Sequence, residues 1–252
     1  MKLQFASDLH LEFDENKKFL TEKTLVPLGD LLILAGDIVP FSEIHNHSDF
    51  FDYISANFKT TYWIAGNHEY YHSDIAEYEE EYCKVIRSNI FLVNNKAIIN
   101  NGVKFIFSTL WSHINPVNKY AVERALNDFY LIRNGRDKFT ATDFNKKHNH
   151  ALKFIKRELK DSKEFKCVVV SHHVPTLENY PPKYRRDAIN DAFAVELGNL
   201  IDKYKPCLWI YGHHHFGTPD FKIGRTIMAT NQLGYVRLGE HHLFNTAKII
   251  EL

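Results

Sequence analysis

The sequence predicts an α/β fold in which two packed sheets are flanked by helices, and three observations predict it. Short apolar runs of strand length recur along the chain. In the first half they alternate with stretches of helical spacing, and strand signals crowd together again near the end. Strands and helices distributed in this way give each sheet its own helical cover.

Taken in order, strands are expected at 2–7, 31–36 and 60–65. Runs such as Leu31-Leu32-Ile33-Leu34-Ala35 are apolar at every position, as strands buried on both faces require. Residues 41–58 read as helical in part. Residues 74–87 place Ile75, Tyr78, Tyr82, Val85 and Ile86 at helical spacing, so a helix is expected there. A strand-rich patch follows at 90–93, 96–100 and 103–109. Asn101-Gly102 between the last two is a strong hairpin signal. Helices are expected at 117–127 and 141–160, the second with Phe144, Leu152, Phe154, Ile155 and Leu159 on its buried side. Strands return at 166–170, 207–211, 220–223, 225–230 and 243–250. Residues 112–140 and 174–192 read as insertions near the site, the second made irregular by Pro175, Pro181 and Pro182.

Apolar residues make up 44% of the 252, enough for a sizeable core, and the candidate ligands run through most of the chain, so one domain over 1–252 is expected. Lys plus Arg, 31, balances Asp plus Glu, 31, at a pI near 7.3. A protein that tracks long nucleic acid carries a basic excess, which argues against that partner here. Lys183, Arg185 and Arg186 form one local basic cluster suited to a small anion, or simply a solvated loop. Cys83, Cys167 and Cys207 have no C-x-x-C spacing, which argues against a disulfide framework and fits a reducing, cytoplasmic compartment. Asp8 and His10 interrupt any signal-peptide core. No run approaches the ~20 apolar residues of a membrane span, so no membrane partner is expected.

Five apolar runs end in residues that can bind a metal. Residues 2–6 lead to Asp8 and His10, and 31–36 to Asp37. Residues 62–66 lead to Asn67-His68-Glu69, 167–171 to His172-His173, and 208–212 to His213-His214-His215. Loops at the carboxyl ends of buried strands converge on one crevice. Seven nitrogen or oxygen donors brought there make a site for two divalent metals. Asp8 and His10, two residues apart, point to one face. Carboxylate with imidazole suits Mn, Fe or Zn without choosing among them. Each motif alone is weak; their joint occurrence in this order is the signal.

Asp8-x-His10, Gly36-Asp37, Gly66-Asn67-His68-Glu69, His172 and Gly212-His213-x-His215 resemble the ordered motifs of the calcineurin-like metallophosphoesterases. Ser7-Asp8-Leu9-His10-Leu11-Glu12, Asn127-Asp128-Phe129 with Ile132-Arg133, Ser171-His172-His173-x-Pro175 and Gly234-Tyr235 resemble a bacterial, uncharacterised branch. His214 stands where that pattern has Thr. The resemblance implies a four-layer α-β-β-α sandwich of two mixed sheets, and a phosphoesterase with two divalent metal ions. Asp8, His10 and His215 would hold one metal, Asn67, His172 and His213 the other, and Asp37 would bridge them. It also implies that His68 protonates the leaving oxygen, a task suited to a group with a pKa near neutrality.

A charge count favours this chemistry. Two divalent cations, two aspartates and a bridging hydroxide leave one positive charge to attract a phosphate. Metal binding brings the pKa of water from about 16 to about 7. The expected substrate is a small phosphate ester, with a phosphodiester or nucleotide favoured. A phosphomonoesterase, a nuclease and a non-catalytic protein-binding scaffold are the alternatives. The scaffold is disfavoured because all seven ligand positions and His68 are present. Asn127, Arg133, His173, Tyr184 and Tyr235 are candidates for substrate contact: Arg offers a planar fork to phosphate, and Tyr a face for a base or aryl group. His72 and His113 are candidates for the rim, and the other histidines outside the motifs are expected to be mostly exposed. The sequence leaves the oligomeric state open.

Overall fold

Two six-stranded mixed sheets lie face to face in the computed structural model, which describes residues 1–162, 164–185 and 187–252. Arg186 of the basic cluster therefore lies outside the described residues. The first sheet holds β1 (Lys2–Ala6), β2 (Leu31–Ala35), β3 (Thr61–Ile64), β4 (Tyr82–Arg87), β5 (Ile90–Asn94) and β14 (Ile249–Glu251), in the order β14-β1-β2-β3-β5-β4. The second holds β6 (Lys96–Asn100), β7 (Val103–Ser108), β10 (Lys166–Ser171), β11 (Leu208–Ile210), β12 (Phe221–Ile223) and β13 (Thr226–Ala229), in the order β12-β13-β11-β10-β7-β6. In both, four parallel strands are closed at each edge by an antiparallel one. A separate ribbon pairs β8 (Arg133–Asn134) with β9 (Asp137–Lys138).

Side-chain alternation builds the layers. Leu3, Phe5, Leu31 and Ile33 meet Phe105, Phe107, Val168 and Val170 between the sheets. On the outer face of the first sheet, Leu32, Leu34 and Trp63 pack against Leu20 of α1 (Asp14–Glu22) and Phe51 and Ile54 of α2 (Ser48–Asn57). Two short helices, α3 (Lys119–Ala125) and α4 (Asp128–Leu131), lie in the first insertion. The outer face of the second sheet packs Ile106, Val169 and Trp209 against Phe154, Ile155 and Leu159 of α5 (Ala141–Lys160) and Ile201 of α6 (Gly198–Tyr204). The architecture is the expected four-layer α-β-β-α sandwich.

The expected helix at 74–87 is not there. Asp74 accepts from the Ala76 amide and caps a single 3-10 turn, after which the chain pairs with β5 as the edge strand β4. Of the residues at helical spacing, Ile75 and Tyr82 are buried but Val85 is 66% exposed, so they do not form one helical face. The strand expected at 243–250 is confined to Ile249–Glu251, because Glu240–Leu243 turns as a 3-10 helix after Gly239, whose φ is 74°. Both residues of the Asn101-Gly102 turn have positive φ, as a two-residue hairpin demands.

Candidate metal centre

The carboxyl ends of β1, β2, β3, β10 and β11 open on one crevice, and the backbone there is bent hard. Asp8, His10, Asp37, His213 and His215 all have positive φ, between 46° and 81°. Non-glycine residues in that region cost of order 1–3 kcal/mol each and cluster at functional sites. Glycines allow the close approach that results. A Cβ on Gly36 would lie 2.4 Å from His172 Nδ1, and one on Gly66 would lie 2.1 Å from Asp37 Oδ1. The glycines of the motifs are therefore clearances for the donor side chains.

Two groups of donors meet around Asp37: Asp8, His10, Asp37 and His215 in one, Asp37, His172 and His213 in the other. Asn67 Oδ1 lies 3.3 Å from His172 Nε2, on the second group's side. Asp37 Oδ2 is 3.9 Å from His10 Nε2 and 3.3 Å from His172 Nε2, so one oxygen faces both groups. All seven residues expected to ligate metal are brought together.

The far atom of each neutral donor is tethered. His10 Nδ1 bonds Glu12 at 3.1 Å, His215 Nδ1 bonds Glu240 at 2.8 Å, and His172 Nδ1 donates to the Ala35 carbonyl at 2.9 Å. His213 is tethered the other way round, Nε2 to the Ala192 carbonyl at 3.2 Å, leaving Nδ1 inward. Asn67 Nδ2 donates to Asp128 at 2.8 Å, leaving its oxygen inward. Such partners fix the tautomer and orientation of metal-binding histidines.

The inward atoms then face one another. His10 Nε2 and His215 Nε2 are 2.9 Å apart, and His172 Nε2 and His213 Nδ1 are 3.1 Å apart. Two neutral imidazoles tethered in this way would oppose lone pairs, so each pair calls for a cation. Burial disfavours imidazolium, yet Asp8 and Glu240 push His215 up to about 10, and Asp37 and Asp8 push His172 up to about 9. Their partners His10 and His213 are pushed down, by burial and by the neighbouring histidines. Asp8 Oδ2 is buried with no hydrogen-bond partner among the described residues. A donor set of two carboxylates, four imidazoles and one amide oxygen fits two divalent cations.

Glu69 builds the floor. Its carboxylate accepts from the amides of Asp37, Ile38 and Gly66 and from Trp63 Nε1, at 2.6–3.0 Å. Burial and the charge of Asp37 push its carboxyl up to about 8, but four donors leave a proton no acceptor, so the geometry holds the ionised form. His68 lies beside the donors. Its Nδ1 bonds Glu12 at 3.0 Å, sharing the Oε1 that also holds His10, and its Nε2 points to the Tyr235 hydroxyl at 3.5 Å. Against burial, the charges of Asp37 and Glu12 raise its pKa.

A cleft of 330 Å³ runs from Asp37, Asn67, His68, His213 and His215 toward Asn127, Tyr184 and Tyr235, all of which line it. His173 lies behind this wall, fully buried, with Nδ1 3.3 Å from the Thr109 carbonyl and its ring 4.1 Å from that of His213. Arg133 is exposed on the β8–β9 ribbon, where its amide donates to Ser73, and does not line the cleft. His72 and His113 do not line it either, and His47 and His148 are buried rather than exposed. Sequence reasoning gave Glu12, Asp128 and Glu240 no role. Glu12 and Asp128 stood inside the quoted motifs, but nothing local shows which histidine or amide a carboxylate will meet.

The family model described as calcineurin-like phosphoesterase matches residues 1–217. An uncharacterized protein, L509, of Acanthamoeba polyphaga mimivirus is 31% identical over 279 residues, covering 99% of this chain and 96% of that protein. This relative is viral, so the resemblance to a bacterial branch says nothing of origin. The crystal structure of phosphopantetheinyl hydrolase from Mycobacterium tuberculosis superposes with a TM-score of 0.70 at 15% identity, covering 99% of this chain and 95% of that one. That likeness is one of fold.

Proposed function

This chain belongs to the calcineurin-like phosphoesterase family, a metal-dependent hydrolase of phosphoric esters, and from that premise we propose a dinuclear enzyme acting on a small phosphodiester. Asp8, His10 and His215 would hold one divalent cation and Asn67, His172 and His213 the other, with Asp37 set between the two groups. The observation that carries this reading is the tethering: five neutral donors each have one polar atom anchored and the other turned inward. Manganese, iron and zinc all suit the donor set. When bound, the cations supply Lewis acidity to an attacking water and to the phosphoryl oxygens.

The remaining steps belong to the chain. Glu12 holds His68 Nδ1, so that the proton on Nε2 faces the cleft and passes to the leaving oxygen. Tyr235 packs its ring on His10 and His215 and sets the far side of His68. A diester is favoured because it carries one negative charge, matching the single positive charge of the loaded centre, and because Arg133 stands outside the cleft. A cytoplasmic location fits three cysteines that form no disulfide among the described residues. No helix among those residues is long and apolar enough to cross a membrane.

The test compares bis(p-nitrophenyl) phosphate with p-nitrophenyl phosphate on protein loaded with Mn and, separately, with Zn. Turnover with a higher kcat/KM for the diester is expected. A monoester advantage of tenfold, about 1.4 kcal/mol in transition-state binding, overturns the diester assignment. Failure to turn over either ester with two metals bound overturns the function.

A further inference from the structure

The two insertions meet over the cleft. Asp191 Oδ2 accepts from the Asn115 amide at 2.9 Å and from Asn118 Nδ2 at 2.8 Å, which ties the segment before α3 to the turn Ala188–Ala192. Below this tie the walls are apolar. Leu126 comes from one insertion, Tyr180 and Ile189 from the other, and Phe193 follows, stacked on the His213 ring at 4.8 Å. Tyr180 is itself fixed by stacking on His214 at 5.4 Å. The cleft is thus continuous with the donor groups yet mostly hydrocarbon, and 330 Å³ is within the range of pockets that hold small organic ligands.

Its polar lining combines the hydroxyls of Tyr180, Tyr184 and Tyr235 with two acceptors supplied by the second insertion. Asn190 lines the cleft and is 8% exposed; its Oδ1 is enclosed without a hydrogen-bond partner among the described residues, and a turn of the amide about its terminal torsion is needed to offer it to a ligand donor. A buried acceptor left in that state is destabilising, and a donor on a ligand would satisfy it. Asp187 adds a carboxylate to the same wall. No Lys or Arg lines the cleft among the described residues: Arg185 is turned to the Leu177 carbonyl, and Lys183 lies over the Tyr184 ring. Carboxylate and amide acceptors beside hydrocarbon suit an uncharged group with N–H or O–H donors and repel a phosphate.

We propose that this cleft is a subsite for the organic arm of the ester, and that the arm it selects is uncharged, partly apolar and bears N–H or O–H donors. The inference rests on the phosphoesterase reading above and adds the class of substrate. It separates an amide- or hydroxyl-bearing organic diester from a substrate with a second phosphate, such as a nucleoside diphosphate derivative.

The experiment uses three diesters of p-nitrophenol, whose second arms are methyl, 3-acetamidopropyl and 3-phosphopropyl, with the Mn-loaded protein. The acetamidopropyl ester should exceed the methyl ester at least tenfold in kcat/KM, and the phosphopropyl ester should fall below it. Asn190→Ala should cut the acetamidopropyl-to-methyl ratio by fivefold or more. Arg186→Gln should leave the order of the three esters as it is. Equal rates for the acetamidopropyl and methyl esters, or a phosphopropyl ester faster than both, overturn the arm assignment while the phosphoesterase reading stands. A reversal of order in Arg186→Gln assigns the discrimination to that arginine and overturns the proposal. No turnover of any of the three overturns the phosphoesterase reading and the subsite with it.

Discussion

Replacing Gly66 by alanine should empty the metal centre without substituting a single donor. The added Cβ would lie 2.1 Å from Asp37 Oδ1, 2.6 Å from His172 Nε2 and 2.8 Å from the Asp37 amide. Relieving the first contact to the 3.0 Å limit calls for a shift of about 0.9 Å in the carboxylate that faces both donor groups. Metal–ligand distances tolerate only about 0.2 Å, so the shift exceeds the tolerance several-fold. The fold should survive: overpacking of this size costs about 1–3 kcal/mol, or roughly 2–12 °C in Tm for a chain of this length. Gly102→Ala is the matched control. Its φ is +76° and nothing lies within 4 Å, so it carries only the left-handed backbone cost of about 1–2 kcal/mol. Thermal melts, metal content by mass spectrometry and turnover of bis(p-nitrophenyl) phosphate should show two destabilised proteins, of which only the Gly66 variant has lost its metals. Two equivalents of metal and normal turnover in Gly66→Ala would refute the reasoning, as would equal metal loss in the control.

Asp37→Asn keeps size but removes the charge shared by both groups, so metal content should fall below two equivalents. Two retained metals with wild-type turnover would refute the bridging role. His68→Asn should keep its metals and slow turnover by ~10²–10⁴-fold, with a smaller loss for p-nitrophenol than for a poor leaving group; an equal loss across leaving groups counts against the general acid. Burial alone would raise the Glu158 carboxyl, but Lys104 and then Arg157 hold it below 4.5. Its stabilisation is therefore present above pH 4.5 and fades as pH falls through the lowered value. Glu158→Gln leaves the 6%-exposed Lys104 its bond to the Glu158 backbone carbonyl at 2.9 Å but removes the partner charge, so with solvent screening of this part-exposed carboxylate it should cost about 1 kcal/mol in urea melts at pH 7, and a gap that does not narrow below pH 4 would be the wrong sign.

What the sequence discloses is what is local. The long helix α5 runs over the 141–160 that its apolar spacing places, and in the structure a Thr140–Asp143 capping box starts it. The ligand motifs are legible because each sits where an apolar strand stops. Segment 74–87 is misread because its fate is decided by pairing with β5, and a short amphipathic period carries no information about an edge. Helix α1 has only Phe19 and Leu20 as apolar residues, so it leaves almost no periodic trace. The carboxylates that orient the site are hidden for the same reason as β4. Glu12 meets His68 across 56 residues and Glu240 meets His215 across 25. Local spacing cannot say where a carboxylate folds back.

Each donor group draws on both halves of the sandwich. Asp8, His10 and Asp37 follow strands of the first sheet while His215 follows one of the second; Asn67 and Asp37 come from the first, His172 and His213 from the second. A cation in either place would therefore act as a cross-link between the sheets, joining them at the one end where the interlayer hydrocarbon gives way to polar loops. Separating the sheets would release the metal, so its binding energy adds to the cohesion of the sandwich, by about 2.7 kcal/mol per site at a free metal concentration one hundred times Kd. Chelation should loosen the whole layered assembly, with faster amide exchange along β1 and β10 as well as in the loops that carry the donors.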